Sequence, residues 1–195
     1  MNEKRQNLLR QNGVIKTEDQ LSLNDWEKIS VEKSLSEEFI GVFKDKVNWL
    51  SISLFQNLSE QFISDFEDFV IWKYISNGQM LSEDFIREHQ NILNWSYITE
   101  KQKLSNEFLH EFQHRIDWEW ISQFFKLTDD FLCEFEHKID WDIYFHYQEA
   151  NFQIIKKFIF RTRFRNIKSF KISHLNDNQK NDIENKLKLK YIFIT

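Results

Sequence analysis

The sequence predicts an all-α protein built as a tandem array of short helix pairs, an α-solenoid closed at both ends by degenerate units. Three observations predict it. A 23-residue unit recurs five times without insertion or deletion, its tryptophans keep that period, and residues that make turns are almost missing. The 195 residues include no proline and only three glycines. Sheet proteins need such residues at their hairpins, whereas short helices joined tightly do not. Phe (20) and Trp (7) are abundant, so large rings must fill the core.

The first full unit, LSEEFIGVFKDKVNWLSISLFQN, starts at Leu35, and the next start at Leu58, Leu81, Leu104 and Leu127. The shared pattern is L-S-E-x-F-I-x-x-F-x-x-x-V-[ND]-W-x-x-I-S-x-x-Q-x, with tryptophans at 49, 72, 95, 118 and 141. Half a unit precedes it, with Asp25, Trp26, Ile29 and Ser30 in frame. A worn unit follows, in which Ile154, Ile155 and Phe158 hold the frame and Phe164 and Ile167 replace the Trp and Ile. The chain therefore divides into an N-terminal segment (1–20), a repeat array (21–149), and a degenerate basic capping unit with a tail (150–195).

Each unit reads as two helices of about ten residues, a length that is marginal in isolation and must be stabilised by packing on neighbours. Ser36, Ser59, Ser82, Ser105 and Thr128 are the expected N-caps of the first helix, because a hydroxyl accepts a hydrogen bond from an orphan amide. Glu37, Glu60 and Glu83 follow and suit the positive helix end. Phe39, Ile40, Phe43 and Val47 form one apolar helical face. Asn48, Asn94, Asp117 and Asp140 are expected to cap the second helix, and Ile71 breaks that pattern. Gln56, Gln79, Gln102 and Gln148 form an expected internal hydrogen-bond row, with Phe125 in the remaining unit. Asn176 or Asp177 is expected to cap a last helix running to about Lys188.

The unit resembles a short helical repeat found in proteins of large DNA viruses, phages and AT-rich bacteria. The resemblance covers about residues 21–172. It implies an α-helical array and assigns no activity and no catalytic residue. Proteins of that origin often bind and block host factors, so it also implies a viral or phage inhibitor of a host factor or defence system.

Composition narrows the functional classes. With 41% hydrophobic and 29% charged residues, the chain suits a soluble globular array. Cys133 is the sole cysteine, which excludes an intramolecular disulfide and fits a reducing compartment. No run approaches a membrane span of roughly 20 apolar residues, and the N-terminus lacks the apolar stretch of a signal peptide, so a cytoplasmic location is expected. Charge is unevenly spread. Residues 156–195 hold 11 Lys+Arg against 3 Asp+Glu, whereas residues 1–155 hold 15 against 28.

Four constellations carry possible chemistry. Two residues after each array Trp sit Ser51, Tyr74, Tyr97, Trp120 and Ile143, and six after sit Phe55, Gly78, Lys101, Phe124 and Tyr147, positions that either pack on the next layer or form a recognition stripe. Exposed aromatics in a row are the material of protein–protein hot spots, so Tyr74, Tyr97, Trp120 and Phe124 are the candidate partner-binding residues. The tryptophan ladder itself reads as core rather than as a base-stacking platform. In FIFRTRFRNIKSFK, Arg161, Arg163, Arg165, Lys168 and Lys171 alternate with aromatics, a pattern able to bind nucleic-acid backbones or to meet the acidic body as a basic cap. His110-Glu111-Phe112-Gln113-His114 matches the H-E-x-x-H pattern of zinc hydrolases, but on a helical wheel both histidines lie opposite Phe108, Leu109 and Phe112. The leading expectation is a non-enzymatic, cofactor-free scaffold that binds another protein. A nucleic-acid or ribonucleoprotein binder is the alternative, and a zinc hydrolase using His110, Glu111 and His114 the second.

Overall fold

The computed structural model describes residues 3–32, 34–164 and 167–192. The described residues form fourteen α-helices and three one-turn 3-10 helices, joined by turns and short irregular segments, with no strand among them. The chain separates into two compact units, 1–103 and 104–195, whose boundary falls at the start of the fourth full repeat.

In the first unit, α1 (Glu3–Gln11) precedes the 3-10 turn Glu18–Gln20 and α2 (Leu23–Glu32). Three helix pairs follow: α3 (Glu37–Val42) with α4 (Trp49–Phe55), α5 (Glu60–Asp65) with α6 (Trp72–Gly78), and α7 (Glu83–Glu88) with α8 (Trp95–Lys101). The second unit contains α9 (Asn106–Glu111) with α10 (Trp118–Phe124), α11 (Asp129–Glu134) with α12 (Trp141–Tyr147), α13 (Phe152–Phe158) and α14 (Asp177–Ile192). The Trp-bearing helices pack side by side, α2 on α4, α4 on α6 and α6 on α8 in the first unit, and α10 on α12 in the second. Each compact unit is thus α-solenoid-like, helix pair stacked on helix pair.

The helices are shorter than the apolar spacing suggests, six and seven residues rather than ten. The first helix of each pair stops at the same repeat position, a phenylalanine in four units and His89 in the third. Phe43 adopts φ −108° and ψ 26°, and the chain curls so that the amides of Lys46 and Val47 both bond the Phe43 carbonyl. Val47 is buried with Phe39, Ile40 and Phe43, but from a turn and not from the helical face. Capping follows the sequence closely. Ser36, Ser59, Ser82, Ser105 and Thr128 each accept the amide three residues on. Asn48, Asn94, Asp117 and Asp140 do the same for the second helix. Ile71 has the backbone of these caps but no side-chain acceptor. Ile71→Asn should therefore raise stability by about 1 kcal/mol, read as a higher urea midpoint at unchanged m-value.

Polar side chains bind layer to layer. The serine four residues after Trp26, Trp49, Trp72 and Trp118 donates to that Trp's carbonyl and accepts the amide eighteen residues on, as in Ser30 to Trp26 O (2.7 Å) with Asn48 N to Ser30 (2.9 Å). Ser53, Ser76 and Ser122 repeat the arrangement with the amides of Ile71, Asn94 and Asp140. The glutamine row is internal at Gln56, Gln79 and Gln102, as expected, whereas Gln148 is half-buried and donates to Gln123 O. Gln79 Oε1 accepts Leu58 N at 3.1 Å, and its Nε2 donates to Ser53 O (2.9 Å) and Gln56 O (2.7 Å). Gln56 and Gln102 make equivalent bonds. A third link is an addition to the sequence reading. Glu37 accepts Ser59 N at 2.6 Å and Glu60 accepts Ser82 N at 2.5 Å. The Glu of L-S-E therefore staples adjacent layers as well as suiting a helix end.

The tryptophans are not uniformly core. Trp26 and Trp141 are buried, whereas Trp49, Trp72, Trp95 and Trp118 are half-buried. Trp141 opens a helix as these four do, but Phe158 covers its ring at 4.1 Å, whereas part of each of the four indoles stays at the surface. They still stack on the next layer, as Trp49 does on Phe66 (5.7 Å) and Trp118 on Phe131 (6.0 Å). The indole N–H of Trp49, Trp95 and Trp118 donates to the carbonyl five residues before it.

Both ends are closed. At the N-terminus α1 finishes in a Schellman turn: Gly13 takes φ 73°, Val14 N bonds Leu9 O and Gly13 N bonds Arg10 O. Leu8, Leu9 and Val14 are buried in one cluster with Trp26, Phe39 and Phe43. Arg5 clamps this segment. It grips Glu18 through two bonds of 2.7 and 2.6 Å, donates to Val42 O, and lies 4.3 Å over the Phe43 ring. Its hydrogen bonds hold the Glu18 carboxyl below its ordinary range. At the C-terminus the first half of the worn unit folds in frame, with Ile154, Ile155 and Phe158 buried and Phe158 stacked on Trp141 at 4.1 Å. Its second half does not form the second helix. Phe164 and Ile167 are half-buried, and Ile167 opens a one-turn 3-10 helix instead. Helix α14, opened by a reciprocal Asn176–Gln179 cap, packs on α13 in its place and runs beyond Lys188.

Candidate interaction surfaces

The position two residues after each Trp is partly taken up by layer packing, while the position six after stays exposed as the sequence suggests. Tyr74, Tyr97 and Trp120 are half-buried and Ser51 is buried. A wheel treats each helix alone and omits the neighbour that covers part of this position. The sixth position falls on the last turn and projects further, with Phe55 58%, Phe124 52% and Tyr147 47% exposed. In the first unit Gly78 interrupts the row. A Cβ there would come within 2.4 Å of the Leu54 carbonyl oxygen, so α6 approaches α4 too closely for any side chain. In the second unit the row is unbroken. Trp120 packs its ring 4.2 Å from that of Phe124 on α10, and α12 alongside carries half-buried Ile143 and exposed Tyr147.

The basic segment is seated on the last full repeat. Arg161 bonds Glu136 at 2.5 Å. Arg163 bonds Asp142 through its backbone amide (2.7 Å) and through its guanidinium, while its side chain stays 84% exposed. Lys171 donates its amide to Phe145 O at 2.8 Å and its ammonium to Tyr147 O at 3.3 Å, and Ser169 O lies 3.0 Å from His146 Nδ1. Lys168 is exposed. Arg165 lies outside the described residues. Arg163, Lys168 and Lys171 thus come beside α12, next to aromatics that are remote from them in the pattern of the repeat. Changing Arg161, Arg163 and Arg165 together to Ala should lower the melting temperature slightly, since exposed pairs are worth about 0–1 kcal/mol each. Tight, salt-sensitive nucleic-acid binding by the wild type, lost in the triple variant, would show instead that these arginines serve a polyanion.

His110 and His114 do not share a helix. Helix α9 ends at Glu111, and residues 112–115 form the turn seen in every unit. The i, i+4 geometry that would aim two imidazoles at one ion is therefore not built. Both histidines are exposed, and His110 Nε2 lies 2.9 Å from Glu134 Oε1. Among the described residues no three His, Cys, Asp or Glu side chains gather as a metal site. No described helix is long and apolar enough to cross a membrane.

No protein-family model matches the chain, and neither the curated proteins nor the solved structures compared with it offer a match.

Proposed function

We propose that this chain is a non-enzymatic repeat scaffold that binds another protein through the outer edge of its Trp-initiated helices. The observation that carries this reading is the set of large rings left about half exposed at repeat-equivalent positions, Phe55, Phe124 and Tyr147. Their neighbours in each helix are consumed by layer packing, whereas these rings, Phe55 in the first unit and Phe124 and Tyr147 in the second, stay in water, and exposed large aromatics mark interaction sites. The resemblance of the unit to viral and phage repeats supports a narrower form, an inhibitor that occupies a host factor in the cytoplasm. The test is affinity capture from the native host with the wild type and with a Phe55→Ser, Phe124→Ser, Tyr147→Ser variant. The partner should be lost in the variant while its circular dichroism is unchanged. Equal capture by both proteins would overturn the reading.

A further inference from the structure

We propose that the α10–α12 face binds an acidic amphipathic helix of the partner protein, an inference that rests on the protein-binding reading. Two features of the second unit combine there. The apolar part is Trp120 and Phe124 on α10 with Ile143 and Tyr147 on α12. The basic part is Arg163, Lys168 and Lys171, brought to the flank of α12 by the Arg163–Asp142 contact, the Lys171–Phe145 backbone bond and the Ser169–His146 contact. Exposed rings bordered by cations on one side call for a ligand with an apolar stripe bordered by carboxylates.

Spacing favours a helix over a nucleic acid. Packed helices lie about 8–10 Å apart, so equivalent rings on α10 and α12 repeat at roughly that distance. Residues i and i+7 of a helix lie about 10.5 Å apart along its axis, which matches one anchor per layer. Stacked bases sit much closer together. Phe124 also gives one side of its ring to Trp120, at 4.2 Å, and is less open to a base than a free ring. The exposed Glu119 on α10 and Glu149 after α12 would repel a polyanion crossing the face, whereas a peptide can place its charge on the Lys168–Lys171 side alone.

The experiment selects random 16-residue peptides on phage against the full chain, with counter-selection on a Phe124→Ser, Tyr147→Ser variant. Enriched sequences should carry Asp or Glu together with apolar residues at i, i+3 or i+4, and i+7. A synthetic peptide from the pool, followed by fluorescence anisotropy, should bind the ring variant and a Lys168→Glu, Lys171→Glu variant at least about tenfold more weakly than wild type. A Lys168→Gln, Lys171→Gln protein serves if charge reversal disturbs the fold. The affinity of the wild type for the peptide should fall with added salt. No enrichment, enrichment without acidic residues, or equal binding to the variants would overturn the proposal. Binding of a labelled oligothymidylate that the Lys variants lose, with no peptide selected, would assign the face to single-stranded nucleic acid instead. If peptides fail while the triple aromatic variant still loses its captured protein, the scaffold reading stands and only the acidic helix falls.

Discussion

Gln79→Ala is expected to destabilise the first compact unit by about 3–5 kcal/mol. The side chain is buried and meets three backbone groups that have no access to water: Leu58 N, Ser53 O and Gln56 O. Truncation removes all three bonds at once, and each buried group left unpaired costs roughly 1–3 kcal/mol. The lower part of the summed range applies, because the cavity leaves room for water to reach some of them. Urea denaturation gives the size of the effect, and native-state hydrogen exchange gives its place, since the Leu58 amide should exchange faster while amides of the second unit hardly change. A loss below about 1 kcal/mol would mean that the glutamine row decorates the stack without joining it.

Phe39→Ala should cost a similar amount, about 3–5 kcal/mol, the range for deleting a buried aromatic. Phe39 is fully enclosed, 4.7 Å from Phe43 and 6.2 Å from Trp26 by ring centroids. The consequence reaches beyond its own layer. Phe43 supports the Arg5 guanidinium, which holds α1 and Glu18 across the end of the stack. Loosening that ring should release α1 first, so limited proteolysis near Gly13–Lys16 should accelerate before the remaining repeats unfold. Uniform protection along the first unit, with only the global midpoint lowered, would show that the N-terminal closure does not depend on this ring.

Much of the fold could be read from residue types at fixed spacing. Ser36 and its equivalents had to cap something, and the glutamines had to find partners inside. The period identified both because capping and burial are local demands. Helix length is not legible from the pattern, because Val47 lies eight residues after Phe39, a spacing that a continuous helix and a helix followed by a tight turn satisfy equally well. The Glu37–Ser59 staple was hidden by a simpler explanation for an acid at a helix start. In the worn unit, Phe164 and Ile167 keep the frame without keeping the helix, since α14 supplies the cover that a second helix would have given. The surface was the least legible part. Phe124 is exposed as its place in the repeat suggests, but Tyr147 and the flanking Lys168 and Lys171 come to one face only because the chain turns back along α12, and that return depends on tertiary bonds such as Lys171 N to Phe145 O.

The polar links between layers have a further consequence for how such a chain can change over generations. Each runs to the adjacent layer over a fixed sequence distance, 18 residues for serine to cap amide, 22 for glutamate to serine amide and 26 for glutamine to serine carbonyl. Recombination between two copies of the unit adds or removes whole multiples of its length, and every donor on one side of the new junction still meets its acceptor on the other. A single inserted residue shifts all three links together and leaves buried groups unpaired. The gene is therefore free to lengthen or shorten by entire layers and is held almost rigid to anything smaller, which accounts for five copies in succession without one gap.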